Sequence, residues 1–485
     1  MLGLDPSILR FKKIGRCSVK PEYDEVVVEV IWLCFKRKDA CGRLFFDLKT
    51  ARSYHAGAFN QIFRMVMAAA TVQQLFLFFL ALSTILRLYL SFRQSRAVLK
   101  HRSRVPAGFA EAISLEEHQK AADYSLAGQR LARWQIWFDT LLILLFTYGG
   151  GLNVLAALSL HVSASPLTQG VALMVLFMLA NMLLELPMTV WRTFGLEARF
   201  GFNRTTWPVF LADRAKGLLL GGLIGIPFLY AVIYLMGIGG ALWWLWVWLL
   251  WLGFSLLLMW AFPKWIAPLF NRFEPLEDEG LRRRIEALLA RTGFKSEGVF
   301  VADGSKRSGH ANAYFTGLGE HKRIVFFDTL LKDMQPQEVE AILAHELGHF
   351  KHKHIVKQMA VSFALGLLVL AVLGFFIREP GFYLGLGVDS ASHAMALLLF
   401  FLVLPVFTFP FSPLSGWMSR RNEFEADRFA AAESSADDLI NALVKLYRSN
   451  ARSLVGDSWY SRFYDSHPGA RERIGALQRA GGARE

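Results

Sequence analysis

From residue 217 to residue 263 the chain carries no charged side chain. One bilayer-crossing helix needs about 20 apolar residues, so this run is long enough for two, and the Gly-rich break at 237–240 divides it. Five more stretches have the same character: 65–86, 136–160 with Asp139 inside, 171–190 with Glu185 inside, 358–377 and 394–417. Backbone polar groups in lipid must be bonded within their own segment, which helices do. Only 19% of residues are charged while 54% are hydrophobic, well below the quarter charged that soluble domains carry. A soluble globular fold is excluded, and a mainly α, multi-pass membrane protein with seven transmembrane helices is expected.

The net charge of +13 is distributed as membrane loops distribute it. Nine Lys/Arg lie in 87–133 and five in 192–216, whereas the second and fourth loops have none and the sixth has Arg378 alone. Basic loops stay in the cytoplasm, which places the first, third and fifth loops and the C-terminal region on that side. The charges flank spans and accompany no recognition module, so nucleic acid is not expected as a partner. Residues 1–64 break the pattern, with twelve Lys/Arg on what would be the opposite side. They are read as a non-native or disordered N-terminal extension. All three cysteines (Cys17, Cys34, Cys41) fall there, so a metal in the main body must use His and carboxylates. The expected organisation is then helices 1–5 over 65–263, a cytoplasmic catalytic domain over 264–357, helices 6–7 over 358–418, and a C-terminal helical catalytic part over 419–485. Within 264–357 the pattern predicts a helix at 281–292, strands at 298–302 and 323–327, an edge strand at 311–316, and a helix at 335–354. Two or three helices are predicted over 419–485.

The helix at 335–354 carries HELGH at 345–349. Spacing of four residues puts His345 and His349 on one helical face, where both imidazoles reach one zinc, with Glu346 beside them as the base for the attacking water. Gly348 costs a helix about 1 kcal/mol relative to Ala, which favours a functional reason for it. A catalytic zinc takes three protein ligands and keeps one open position. Phe350, Lys351, His352, Lys353 and His354 follow His349, so the pattern with a third His beyond a Gly fails; His352 and His354 are read as second-face or surface residues. RNEFEAD at 421–427 offers Glu423 as third ligand, the gluzincin arrangement, against the plainer reading of a solvated face residue. Asp427 would either orient a ligand histidine or assist as a proton donor. Two spans separate His349 from Glu423, an even number, so both emerge on one side. SHPGARERI at 466–474 offers Ser466 as a helix cap with Pro468 in the first turn, His467 to stabilise an oxyanion or bind substrate, and Arg473 to pair with a substrate carboxylate.

With these residues in place the chain resembles the type I CAAX prenyl endopeptidase family, integral-membrane zinc proteases. The resemblance rests on eight ordered segments from about residue 65 onward: ISLEEHQKAADY (113–124), FGFNRTT (200–206), IAPLFNRFEPL (266–276), DGSKRSGHANAYF (303–315), RIVFFDTLL (323–331), HELGHFKHKH (345–354), SRRNEFEADRFA (419–430) and SHPGARERI. It implies seven helices enclosing a water-filled chamber, with a small α+β zincin-like catalytic domain and one Zn2+ per chain. The implied activity is endoproteolysis near the C-terminus of prenylated or membrane-associated peptides. By position it makes His345, His349 and Glu423 the metal ligands and Glu346, Asp427 and His467 catalytic. Asn312, Ala313, Tyr314 and Arg473 would bind substrate, the first three through a sheet edge. Glu425 stands where many relatives have Gln, and Gly469 where a second Pro is common. The short loops resemble bacterial members, which suggests a bacterial inner membrane (the endoplasmic reticulum for a eukaryote), with a cytoplasmic site and C-terminus. Expected partners are peptide or lipidated-peptide substrates and membrane lipids. A general membrane quality-control protease is the alternative activity.

Overall fold

The computed structural model describes residues 56–316 and 323–481. The expectation made for residues 1–64 lies outside them up to residue 55. Contacts divide the chain into Met1–Val66 and Met67–Glu485. The second unit carries the helix bundle, the sheet and the site.

Among the described residues six helices are long and apolar enough to cross a membrane, and a bent pair passes the same test of length and composition as a candidate seventh. They are α1 (Ala56–His101), the pair α2 (Leu115–Phe146) and α3 (Gly151–Leu160), α4 (Pro166–Glu197), α5 (Trp207–Ile238), α6 (Gly240–Leu269), α9 (His354–Phe376) and α10 (His393–Glu433). The expected spans fall inside these helices, with one correction. The stretch 136–160 is not one straight span: it bends by 52° between α2 and α3, where Thr147 leaves helical geometry and Gly150 turns left-handed. The break at 237–240 separates α5 from α6 as expected. A Cβ on Gly239 would lie 2.7 Å from both the Leu235 carbonyl and the Trp243 Cα, so only glycine permits so tight a joint.

The bundle packs inward through Phe76, Phe146, Leu152, Val232, Leu373 and Leu399. Outward it shows large apolar side chains, Leu219 and Leu223 being 74% and 75% exposed. A face this apolar is stable against lipid and not against water. Polar side chains turn toward the interior instead: Thr84, Arg87, Asp139, Asn181 and Glu185 line a cavity of ≈ 240 Å³. A larger cavity of ≈ 1040 Å³ opens at the other end, beside Pro166, Arg378 and His393.

The polar segment between α6 and α9 holds a four-stranded sheet in the order β1-β2-β4-β3. β2 (Gly298–Ala302) and β4 (Arg323–Phe327) pair in parallel, while β1 (Phe273–Pro275) and β3 (Ala313–Thr316) flank them antiparallel. β1, three residues long, gave no periodic signal. Helix α7 (Glu279–Thr292) starts on an Asp278 cap that accepts the Leu281 N–H at 2.9 Å and stops at left-handed Gly293. It packs Leu281, Ile285 and Leu288 against α8 (Pro336–Lys351). α8 begins in a capping box, the Gln335 N–H donating to Glu338 at 2.7 Å, and is shorter than the predicted 335–354. Left-handed Lys353 (φ 55°) ends it, and α9 starts at His354. Beyond the membrane, α10 runs on to Glu433 without stopping. It is followed by α11 (Ala436–Ser449), α12 (Ser458–Tyr464) and α13 (Ala470–Gly481). α13 starts later than the Ser466 cap would place it. The Gly469 carbonyl accepts its first N–H groups, and Ser466 bonds His467 instead.

Candidate metal centre and catalytic cleft

α8 and the distal part of α10 cross at unusually close range. A Cβ on Gly348 would meet the Ala426 Cα at 2.9 Å and the Phe429 Cβ at 3.2 Å. Glycine is required there because another helix's backbone occupies the space a side chain would take. The approach carries His345 and His349 to Glu423: the two Nε2 atoms lie 3.3 Å apart, and each is 3.5 Å from a Glu423 carboxylate oxygen. All three side chains are largely buried, and among the described residues they form the only group of three or more His, Cys, Asp or Glu placed to share a metal ion.

Neighbouring side chains fix which nitrogen of each ring faces inward. His345 Nδ1 donates to Asp427 Oδ1 at 2.9 Å. Asp427 in turn accepts two bonds from Arg473, Nε at 2.9 Å and Nη2 at 2.5 Å. His349 Nδ1 lies 3.0 Å from His354 Nδ1, and His354 Nε2 donates to Glu425 Oε2 at 3.1 Å. With Nε2 of His354 donating, its Nδ1 accepts from His349. Both ligand candidates therefore turn an Nε2 lone pair toward a carboxylate, and Glu423 Oε2 is buried without a hydrogen bond. Three lone-pair donors converging in a buried space repel one another unless positive charge lies between them. The donor set thus fits a cation. The same demand appears in titration: burial opposes the His345 imidazolium, yet the facing carboxylates of Asp427 and Glu423 outweigh it and push its pKa up to about 9. Burial and the charge on His345 push His349 down to about 4.

Glu346 faces a cleft of ≈ 660 Å³, lined also by His310, the 311–313 segment, Tyr447, Arg452 and His467. Burial raises the Glu346 pKa above its ordinary value, the direction a general base working near neutrality requires. His467 stands half-exposed at the rim, its Nε2 3.4 Å from Glu423 Oε1. Asn312 and Ala313 line the cleft, with the Ala313 N–H donating to Asn312 Oδ1 at 2.9 Å. Tyr314 does not: its side chain turns to the other face of the sheet, edge-on to Phe327 and beside Phe262 and Phe300. Arg473, expected to reach a substrate carboxylate, is instead buried and committed to Asp427.

Residues 94–272 match the family described as CAAX prenyl protease N-terminal, five membrane helices, and residues 275–480 match Peptidase family M48. The chain is 32% identical over 441 residues to a human CAAX prenyl protease 1 homolog, covering 80% of this chain and 91% of the relative. The Caenorhabditis elegans homolog is 31% identical over 425 residues, covering 80% and 93%. The chain belongs to the M48 family of CAAX prenyl proteases. The crystal structure of S. mikatae Ste24p matches with a TM-score of 0.78 at 29% identity, over 84% of this chain and 98% of that one. As a member of this family the protein is an integral-membrane metalloendopeptidase.

Two supports of the site escaped the sequence reading. His354, taken for a second-face or surface histidine, is buried and holds His349 as Asp427 holds His345. Glu425, noted only as standing where many relatives have Gln, anchors His354. The signal available was HKH at 352–354, two residues past the motif, but only the left-handed turn at Lys353 brings the second of these histidines back over the first helix.

Proposed function

We propose that the protein is a zinc endopeptidase that cleaves prenylated or membrane-associated peptides near their C-terminus, with His345, His349 and Glu423 holding the metal. The observation that carries this reading is the convergence of three donors: the two Nε2 atoms lie 3.3 Å apart, and each is 3.5 Å from one carboxylate oxygen of Glu423, Oε2 for His345 and Oε1 for His349. A tetrahedral zinc with bonds of about 2.0–2.1 Å has edges of about 3.3–3.4 Å. Bound there, zinc would supply Lewis acidity, bringing the attacking water's pKa toward neutrality.

This chain's own residues do the rest. Glu346 takes a proton from the attacking water and returns it to the departing amine. Asp427 holds the His345 tautomer rather than donating protons, since both its oxygens are engaged by Arg473 and His345. His467, at the rim, donates toward the carbonyl oxygen as charge develops on it. The free edge of β3, in the 312–314 segment expected to bind substrate, aligns the substrate backbone through the main chain of Ala313, with Asn312 beside it in the cleft, while the main chain of Tyr314 faces β4. The two catalytic parts, 264–357 and 419–485, lie on the cytoplasmic face, a placement supported by the basic loops.

The test is Glu346→Gln in the purified full-length chain. Zinc content is expected to stay at one per chain while cleavage of a prenylated C-terminal peptide falls by about three orders of magnitude or more. Unchanged cleavage removes Glu346 from the reaction. Cleavage of a misfolded membrane protein in preference to the prenylated peptide would favour quality control instead.

A further inference from the structure

The basic side chains around the cleft differ in what already engages them. Arg473 is held by Asp427, and His467 faces Glu423. His310 Nε2 lies 3.3 Å from Glu197, with its ring stacked on Phe202 at 4.3 Å. Arg452 lines the same cleft, yet its guanidinium makes no ion pair or hydrogen bond among the described residues. Asp465 feels its charge from beyond ion-pair distance.

The backbone around Arg452 is firmly placed. Asn450 clamps the main chain just before β3 at two points, accepting the Ala311 N–H at 2.8 Å and donating to the Ala311 carbonyl at 3.2 Å. Ala451 is left-handed (φ 44°), a conformation that disfavours side chains, and its methyl is buried with Ala121 and Phe202. The Arg452 N–H donates to the Tyr447 carbonyl at 2.9 Å. Arg452 therefore leaves a fixed turn docked at the N-terminal end of the edge strand.

The direction of β3 gives that end a meaning. The Phe327 N–H donates to the Asn312 carbonyl at 3.0 Å. Alternate residues of an antiparallel ladder bond to the same side, so Ala313 and Phe315 turn their main-chain groups to the open edge. A peptide lying antiparallel on that edge points its C-terminus toward Ala311. We infer that Arg452 receives the free α-carboxylate of the bound peptide and so selects substrates cut near a C-terminal acid. This rests on the peptidase reading above and adds the residue that sets its substrate end.

The experiment compares one peptide as its C-terminal acid and as its C-terminal amide, with the full-length protein in liposomes. The wild type is expected to favour the acid by about tenfold or more in kcat/KM, the scale of a charge-assisted bidentate contact. Arg452→Gln should bring the ratio near one, and Arg452→Lys, which keeps charge but loses the fork, should fall between. The same ratio is read without turnover as competition for binding to the Glu346→Gln protein, with and without Arg452→Gln. A wild type indifferent to the acid, or an acid preference that survives Arg452→Gln, overturns the inference. If zinc-loaded wild type cuts neither peptide, the peptidase reading fails, while the binding ratio still decides for or against Arg452.

Discussion

Each metal-facing histidine has its own support, and the two supports differ in chemistry. His345 leans on an ionised carboxylate, Asp427, whose charge is balanced by buried Arg473. His349 leans on a neutral imidazole, His354, which is itself fixed by Glu425. Losing such a partner costs a metal site about 10–100-fold in affinity. His354→Ala is expected to weaken zinc by that factor in competition with a chelator. Glu425→Gln should change it by less than about threefold, because an amide oxygen still accepts from His354 Nε2. Equal losses in the two variants would mean that the charge of Glu425, and not the orientation of His354, sets the affinity. Asp427→Ala is a harsher change. It strips the hydrogen-bonded carboxylate from a buried guanidinium and leaves it Glu423 at 3.5 Å, so a stability loss of about 3 kcal/mol should accompany the loss of metal, readable as a lowered unfolding temperature of the zinc-free protein.

At the level of elements, the site is a crossing of two helices, and Gly348 sets their distance. In an isolated helix Gly348→Ala would gain about 1 kcal/mol. Here the new methyl would press on the Ala426 Cα at 2.9 Å, and backbone does not swing aside as a flexible side chain does. The variant should keep its helical content and lose most of its zinc, measured as metal per chain after gel filtration. Full zinc occupancy would show that the crossing is not fixed by contact at this point. The spans, β2, β4 and the HELGH helix were legible in the sequence because each is written in a local period: apolar length for the spans, alternation or a β-branched run for the strands, and helical spacing for α8. The meeting of Glu423 with the two histidines was legible for a different reason, since the count of spans between His349 and Glu423 constrains space without knowing the fold. What escaped lies where the chain turns sharply or where long-range packing decides. The bend at Thr147–Gly150 sits inside an apolar run that reads as continuous. The reach of His354 back to His349 depends on one left-handed lysine, and the engagement of Arg473 depends on how α13 docks beside α10.

For the molecule as a whole, the basic loops do more than mark a side of the membrane, because they form part of the catalytic half. Phe109 and Ile113, between α1 and α2, pack with Val444, Leu454 and Ile474. The turn after α4 meets the segment leading to β3: the Phe202 carbonyl accepts the Gly309 N–H at 2.9 Å, and the Arg204 N–H donates to the Arg307 carbonyl at 3.1 Å. Arg307 in turn pairs with Asp213 of α5 at 2.7 Å. The first and third loops therefore share a face with the site, as an even number of crossings between them requires, and the turns at 161–165 and 378–392 must face the other way. Cysteine labelling tests this. With Cys17, Cys34 and Cys41 replaced by serine, single cysteines at Ser103→Cys, Asp437→Cys, Ala164→Cys and Ser390→Cys report one position each. In intact cells a membrane-impermeant maleimide is expected to label the last two and spare the first two until the membrane is opened, because the side rich in Lys/Arg stays cytoplasmic. The reverse pattern would invert the orientation and leave the architecture standing. Labelling that grouped position 103 with position 164 would break the parity of the spans, and with it the argument that brings Glu423 to the two histidines.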